Sequence, residues 1–99
     1  MKLWIDDVRP APSGYISCKS TNVAKRIIEL QELEGEPITL IDVDHDAGVY
    51  AKDGGDYIRL LDWLEETSRD YPIRIHSANP VGRENMRRII RRNGWKEVF

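Results

Sequence analysis

Cysteine is nearly absent from this sequence, in which Cys18 is the single one among 99 residues. One cysteine excludes an internal disulfide and any zinc site built from several thiolates. No apolar run approaches the roughly 18 residues that a membrane helix needs. The N-terminal run Met-Lys-Leu-Trp-Ile-Asp-Asp turns acidic before the apolar region of a signal peptide could form. These absences predict a cytoplasmic protein without membrane segments.

A large excess of charge of one sign is also missing, because the formal net charge is −2. The protein as a whole is therefore not strongly attracted to nucleic acid. Hydrophobic residues make up 40% and charged residues 32% of the chain, which excludes a disordered polymer. A length of 99 residues predicts one domain, covering residues 1–99, with a modest core and a functional site at its edge.

Hydrophobic periodicity predicts strands that alternate with helices. The predicted strands cover residues 3–5, 15–19, 38–43, 73–75 and 95–99. The first helix follows capping candidates at residues 20–22 and ends at Gly35, with apolar residues at helical spacing (Val23, Ile27, Leu30 and Leu33). The second covers about residues 56–68, and the third begins at Asn79-Pro80 and ends at Gly94. The order β-β-α-β-α-β-α-β predicts a mostly parallel sheet covered on both faces.

Polar residues follow three of these strands, at the point where each strand ends. They are Asp6-Asp7, the run Asp-Val-Asp-His-Asp at 42–46, and the run His-Ser-Ala-Asn at 76–79. Because ligands of open α/β sheets bind outside the carboxyl ends of the strands, we expect these residues to meet. Clustered carboxylates require a cation, basic partners or raised pKa values, and oxygen ligands suit Mg²⁺. The pattern leaves open whether Asp42 or Asp44 points inward.

Both histidines, His45 and His76, lie in these polar runs. They suit acid–base work on a phosphate held by Ser77, Asn79 and the following helix N-terminus. The structural alternative is that each imidazole is satisfied by its neighbours. The last helix and the residues just after it carry many cations and, up to Lys96, one acid, Glu84. The cations are Arg83, Arg87, Arg88, Arg91, Arg92 and Lys96. They form a solvated face or bind an acidic partner or nucleic-acid backbone, and Arg83 is a candidate phosphate ligand.

Three runs resemble the receiver domains of response regulators: residues 5–7, 40–44 and 75–78. They match the acidic pair after the first strand, the strand with the phosphorylated aspartate, and the Ser or Thr that contacts the phosphate. The chain is more similar still to the cyclic-phosphate-processing receiver-like family. That likeness rests on Asp-Asp-Val-Arg-Pro at 6–10, Val-Asp-His-Asp at 43–46 and His-Ser-Ala-Asn-Pro at 76–80, followed by Gly-Arg-Glu-Asn-Met at 82–86.

This resemblance implies a flavodoxin-like, receiver-like three-layer sandwich, truncated relative to an ordinary receiver. It also implies Asp6, Asp7 and Asp44 as metal ligands, His45, His76 and Asp44 as catalytic groups, and Arg9, Ser77 and Arg83 beside Asn79 as substrate ligands. The expected cofactor is Mg²⁺ or Mn²⁺. The expected substrate is a cyclic phosphate, either the 2′,3′-cyclic end of an RNA or a cyclic nucleotide, which would be hydrolysed.

The chain departs from an ordinary receiver because it lacks the first and last helices of that fold. It also has no clear counterpart of the invariant lysine at the end of the receiver's fifth strand, since Lys96 lies before the apolar Val98. These gaps weigh against phosphoaspartate signalling. Two alternatives nevertheless remain beside hydrolysis: a non-catalytic phosphate sensor or phosphoaspartate switch, and a nucleic-acid adaptor that uses the arginine-rich helix. Strands at 15–19 and 95–99 are candidate sheet edges through which two copies would pair as a homodimer.

Overall fold

The computed structural model describes all 99 residues and contains four strands and three helices. The strands are β1 (Lys2–Ile5), β2 (Tyr15–Cys18), β3 (Leu40–Val43) and β4 (Ile73–Ile75). The helices are α1 (Thr21–Glu34), α2 (Ile58–Glu66) and α3 (Pro80–Asn93). The strands form one sheet in the order β2-β1-β3-β4, and every neighbouring pair is parallel. The predicted α/β class with a parallel sheet is confirmed.

All three helices pack on one face of the sheet. The crossovers from β2 to β3 through α1 and from β3 to β4 through α2 step in the same direction across the sheet. Right-handed crossovers that step the same way place their helices on the same side. Consistently, α2 contacts both α1 and α3. The fold therefore has two layers rather than three, because the only connection that steps the other way, from β1 to β2, contains no helix.

Strand residues alternate between the helix layer and the opposite, open face. Leu3, Ile41 and Ile73 point toward the helices and belong to the buried core. They pack there with residues of the helices and the segments beside them, among them Ile28, Tyr57, Leu60, Leu61, Leu64, Met86 and Ile90. On the open face, Trp4 pairs in register with Asp42, and Asp42 pairs with Arg74. A polar row thus crosses the face that no helix covers.

The helix boundaries follow the predicted capping residues. The Ser20 hydroxyl accepts a hydrogen bond from the backbone N–H of Val23, and Gly35 ends α1 with a φ of 75°. The Asn79 side chain accepts from the N–H of Gly82, and Pro80 occupies the first turn of α3. These contacts satisfy backbone groups that a helix end leaves free. The predicted starts and stops of α1 and α3 are confirmed.

Other details differ from the prediction. Residues 95–99 form one parallel bridge, between Ile73 and Glu97, in place of a full edge strand. A short 3₁₀ helix, Gly48–Lys52, lies between β3 and α2, and α2 is shorter than predicted at both ends. The longest helices have 14 residues, and none has the length and apolar character needed to cross a bilayer.

Candidate functional site

The residues that follow β1, β3 and β4 extend the sheet by one position and so lie side by side. The N–H of Asp44 donates to the carbonyl of Ile5 at 2.9 Å, and the N–H of His76 donates to the carbonyl of Val43 at 3.0 Å. As a result, one ligand atom each of Asp6, Asp44 and His76 lies within 4.8 Å of the other two. We call this group the strand-end cluster.

The imidazole of His76 is held between two buried carboxylates. Its Nδ1 lies 2.7 Å from Oδ1 of Asp42, and its Nε2 lies 2.8 Å from Oδ2 of Asp6. Burial lowers the pKa of His76, but the hydrogen bonds and charges of Asp42 and Asp6 outweigh it and leave the pKa above its usual value. Without a bound cation, the doubly protonated ring matches these two acceptors.

Asp6 is fully buried, and its two carboxylate oxygens have different hydrogen-bond partners. Its Oδ1 accepts the backbone N–H groups of Val8 and Arg9, both at 2.9 Å, while Oδ2 faces His76. Burial raises the pKa of Asp6, but the hydrogen bonds from Arg9, Val8 and His76 together hold it below the ordinary value. The carboxylate is therefore charged and fixed in direction by the turn that follows β1.

The loop after β1 folds back over the open face of the sheet. The indole N–H of Trp4 donates to the carbonyl of Arg9 at 3.0 Å, and Nη1 of Arg9 donates to the carbonyl of His76 at 3.0 Å. The Trp4 and His76 rings are stacked, with their centroids 3.9 Å apart. The loop, which carries no regular helix or strand, thus connects the ends of β1 and β4.

Asp42 and Asp44 lie in different positions relative to His76. Asp42 lies behind His76 and also faces Nη1 of Arg74, at 3.4 Å from its Oδ2. Asp44 lies one position farther along and belongs to the strand-end cluster. Its Oδ1 accepts the N–H of His45 at 2.7 Å, and its other oxygen accepts no hydrogen bond from the protein. Asp44 is thus the carboxylate with a free oxygen.

The two histidines belong to different groups. Nδ1 of His45 lies 2.9 Å from Oδ1 of Asp46, and these two residues group with Asp56 rather than with the strand-end cluster. The His45 ring lies against Gly82 in the first turn of α3, where a Cβ would come within 2.5 Å of the ring. His45 therefore lies beside the α3 N-terminus, and His76 lies at the sheet edge.

The remaining predicted site residues lie around these groups. Asp7 is outside the strand-end cluster, and its Oδ2 is so close to Gly48 that a Cβ there would approach to 2.5 Å. The Ser77 hydroxyl accepts the N–H of Asn79 at 3.1 Å, so both residues shape the turn into α3. Nη1 of Arg83 donates to the carbonyl of Ser77 at 3.3 Å.

Sequence reasoning did not identify the contact between Trp4 and His76. The signal that could have found it is strand alternation. Trp4 and Asp6 share one face of β1, as Asp42 and Asp44 do on β3, while Arg74 and His76 share one face of β4. Finding the contact also requires the strand register, which brings these pairs of residues together.

A parallel sheet with acidic residues after β1 and β3 and a serine in the turn after β4 defines a receiver-like domain. Within that class, the chain belongs to the cyclic-phosphate processing receiver domain family, whose model matches residues 1–92. The suspected family is confirmed. Comparisons with curated proteins and with solved structures gave no significant match.

Proposed function

We propose that this domain binds a cyclic phosphate beside a divalent metal ion held by Asp6, Asp44 and His76, and hydrolyses it. The observation that carries the proposal is the convergence of these three ligand atoms within 4.8 Å, with Asp42 behind the imidazole. A carboxylate that orients a ligating histidine is a common feature of metal sites. Membership of the family supplies the cyclic phosphate as the expected substrate.

The donor groups fit a divalent ion. Oδ2 of Asp6 faces the cluster while its Oδ1 is occupied by backbone N–H groups, and Asp44 has an oxygen without a partner. Oδ2 of Asp6 and Nε2 of His76 would hold such an ion in exchange for the proton that they share without it. Mg²⁺ prefers oxygen ligands, whereas imidazole is a better ligand for later divalent metals. This mixed set favours Mn²⁺ over Mg²⁺.

When bound, a divalent ion would neutralise phosphate charge and make water a stronger nucleophile. In the hydrolysis, a water oxygen bonds to phosphorus and gives up one proton, one ring P–O bond breaks, and the leaving oxygen takes up one proton, which gives a phosphate monoester. His45, linked to Asp46 and beside the turn into α3, is the candidate proton donor. Asp6 and His76 of the strand-end cluster are hydrogen-bonded to each other, so neither is a free proton donor.

Phosphate binding would draw on groups whose hydrogen-bond capacity is only partly used. The Ser77 oxygen accepts from Asn79, which leaves its O–H free to donate. Arg9 uses Nη1 on the carbonyl of His76, which leaves further guanidinium donors free. Asn79 donates to Asp46 through its amide at 3.4 Å, a contact long enough to be exchanged for a phosphate oxygen.

The test is ³¹P NMR of a 2′,3′-cyclic mononucleotide with the protein and Mn²⁺ or Mg²⁺. The wild type should convert the cyclic signal into a monoester signal, and Asp44→Asn should not. Asp70→Asn is the matched control, because this exposed carboxylate lies between α2 and β4, outside both acidic groups. A folded Asp44→Asn protein with full activity would overturn the assignment.

A non-catalytic sensor is the second candidate function. It is favoured by the two carboxylates on His76, which leave neither ring nitrogen free to exchange a proton with a substrate. A sensor would bind the cyclic phosphate with a metal-dependent change in the ³¹P line width but would leave the ring closed. Loss of that change in Asp44→Asn would place the sensor at the same cluster.

A further inference from the structure

A groove of about 380 Å³ lies beside β4 and α3. It is lined by Arg74 and His76 of β4 and the turn after it, by Arg83 and Arg87 of α3, and by residues 97–99. We call this feature the arginine groove. His76 also belongs to the strand-end cluster, whereas the three arginines lie outside it.

The arginine groove carries a net positive charge. Arg87 is paired with Glu97 at 2.9 Å, and Arg74 faces Asp42 at the longer distance of 3.4 Å. Arg83 forms no ion pair and donates only to the uncharged carbonyl of Ser77. Guanidinium groups bind phosphate oxygens through paired N–H donors, and each retains unused donors here. The groove therefore suits an anionic ligand.

The arginine groove is continuous with the strand-end cluster. His76 lines the groove and contributes to the cluster, and Arg74 touches the carboxylate that orients His76. Arg83 and Arg87 lie four residues apart on α3, so their Cβ atoms are about 5–6 Å apart on one side of the helix. Positive charge thus extends from the cluster along α3. An anion bound there would be a neighbour of a phosphate bound at the cluster.

We propose that the arginine groove binds the phosphodiester next to a 2′,3′-cyclic phosphate, so that the ligand is the end of an RNA strand. This inference rests on the proposed function of the cluster. A cyclic mononucleotide without further phosphates would leave Arg83 and Arg87 without an anion, whereas the next phosphodiester of a strand supplies one directly beside the cyclic end. The groove thus selects between the two substrate classes that the sequence left open.

The experiment compares the affinity of the protein for a cyclic mononucleotide and for a tetranucleotide ending in the same 2′,3′-cyclic phosphate, with Mn²⁺ present. Affinity is read as Kd, or as KM if the ring is opened. The wild type should bind the tetranucleotide about tenfold more tightly. Arg83→Gln and Arg87→Gln should each remove most of this gain and lower the salt dependence, log Kd against log salt, by about 0.7.

Arg88→Gln is the matched control, because Arg88 neighbours Arg87 on α3 but does not line the groove. It should keep the gain for the tetranucleotide. If Arg88→Gln lost this gain to the same extent, the proposed role of the groove would be overturned, since nonspecific attraction to the helix would then explain the binding. If Arg83→Gln weakened the binding of the mononucleotide and of the tetranucleotide equally, Arg83 would contact the cyclic phosphate instead.

The two proposals fail in different ways. Binding and opening of the mononucleotide, with no gain for the tetranucleotide, would overturn the arginine groove and leave the proposed function intact. A second outcome is that the protein does not bind the mononucleotide and binds the tetranucleotide equally well with a cyclic phosphate end or with an unphosphorylated 2′,3′-diol end. This outcome would overturn both the proposed function and the assignment of an RNA end. Arg87→Gln would then still report whether the groove binds phosphodiesters.

Discussion

The imidazole of His76 lies flat against the indole of Trp4, with the ring centroids 3.9 Å apart and the ring planes within 3° of parallel. Stacking fixes the plane of the imidazole, and the carboxylates of Asp6 and Asp42 fix its rotation within that plane. His76 is therefore oriented by protein contacts before any ligand arrives. Such preorganisation is what a metal or phosphate site needs from its ligands.

Replacing Trp4 with leucine should weaken both the fold and the strand-end cluster. The variant loses the stack on His76 and the hydrogen bond to Arg9, and truncation of a buried aromatic residue costs about 3 kcal/mol of unfolding free energy. Urea denaturation followed by circular dichroism measures this loss, and titration with Mn²⁺ measures the cluster. Trp63→Leu is the control, because that partly buried ring packs beside Arg69 away from the cluster. Wild-type Mn²⁺ affinity in Trp4→Leu would show that stacking does not orient His76.

Replacing Asp42 with asparagine should reduce Mn²⁺ affinity about 10–100-fold, because Asp42 is a positioning residue behind a metal ligand. The amide has nearly the same shape as the carboxylate, so the fold should survive. NMR titration of the metal-free variant should also show a lower pKa for His76, since one of the two carboxylates that raise it is gone. Asp70→Asn, a change to an exposed carboxylate outside both acidic groups, should change neither quantity. An unchanged Mn²⁺ affinity and an unchanged His76 pKa in Asp42→Asn would contradict this role.

Replacing Gly82 with alanine should disturb His45, because the added Cβ would lie 2.5 Å from Cγ of its ring. Alanine favours a helix over glycine by about 1 kcal/mol, so a gain in stability is expected if the ring moves away freely. If the ring is held, overpacking should cost about 1–3 kcal/mol. We expect the cost, because Gly82 is buried and the His45 side chain, which lies between α3 and Asp46, is only 15% exposed. Thermal unfolding measures whether Gly82→Ala gains or loses stability, and the NMR signals of the His45 ring show whether the ring moves. Asn85→Ala, on the exposed side of α3, is the control.

The features predictable from the sequence were those that depend on local chemistry. Ser20 and Asn79 cap helices, Gly35 and Gly94 end them, and the polar strand ends gather at one edge because parallel strands bring their carboxyl ends together. What was not predictable depends on relationships across the chain. The stacking of Trp4 on His76 and the separation of the two histidines follow from strand register and from the position of α3.

The layer count was missed for a related reason. Alternation of strands and helices predicts coverage of both faces, but the direction of each crossover decides the face, and that requires the strand order. The buried side of α1 shows the same limit. Leu30 and Leu33 lie at helical spacing but are 53% and 84% exposed, while Ala24 and Ile28 are buried against the sheet and α2.

Truncation of α1 residues should follow burial rather than apolar spacing. Ile28→Ala removes a fully buried side chain and should lower the unfolding free energy by about 2–5 kcal/mol. Leu33→Ala removes a mostly exposed one and should change it by less than about 0.5 kcal/mol. Chemical denaturation of the two variants measures the difference. Equal losses would mean that Leu33 is covered in solution, which would indicate association through this side of α1.

The thiol of Cys18 should be unreactive in the native protein and become reactive on unfolding. Cys18 has no exposed surface, and burial raises its pKa from an ordinary value near 9 to about 12. The neutral thiol therefore favours folding: this contribution is complete below about pH 9 and is lost as the pH rises toward 12. Labelling with a chromogenic disulfide at pH 8 should be at least about a hundredfold slower without denaturant than with it. The matched control is Ser17→Cys in a Cys18→Ala background, because residue 17 is exposed on the same strand and should react at once. Rapid labelling of native Cys18 would show that β2, which pairs only with β1, opens independently of the rest of the sheet.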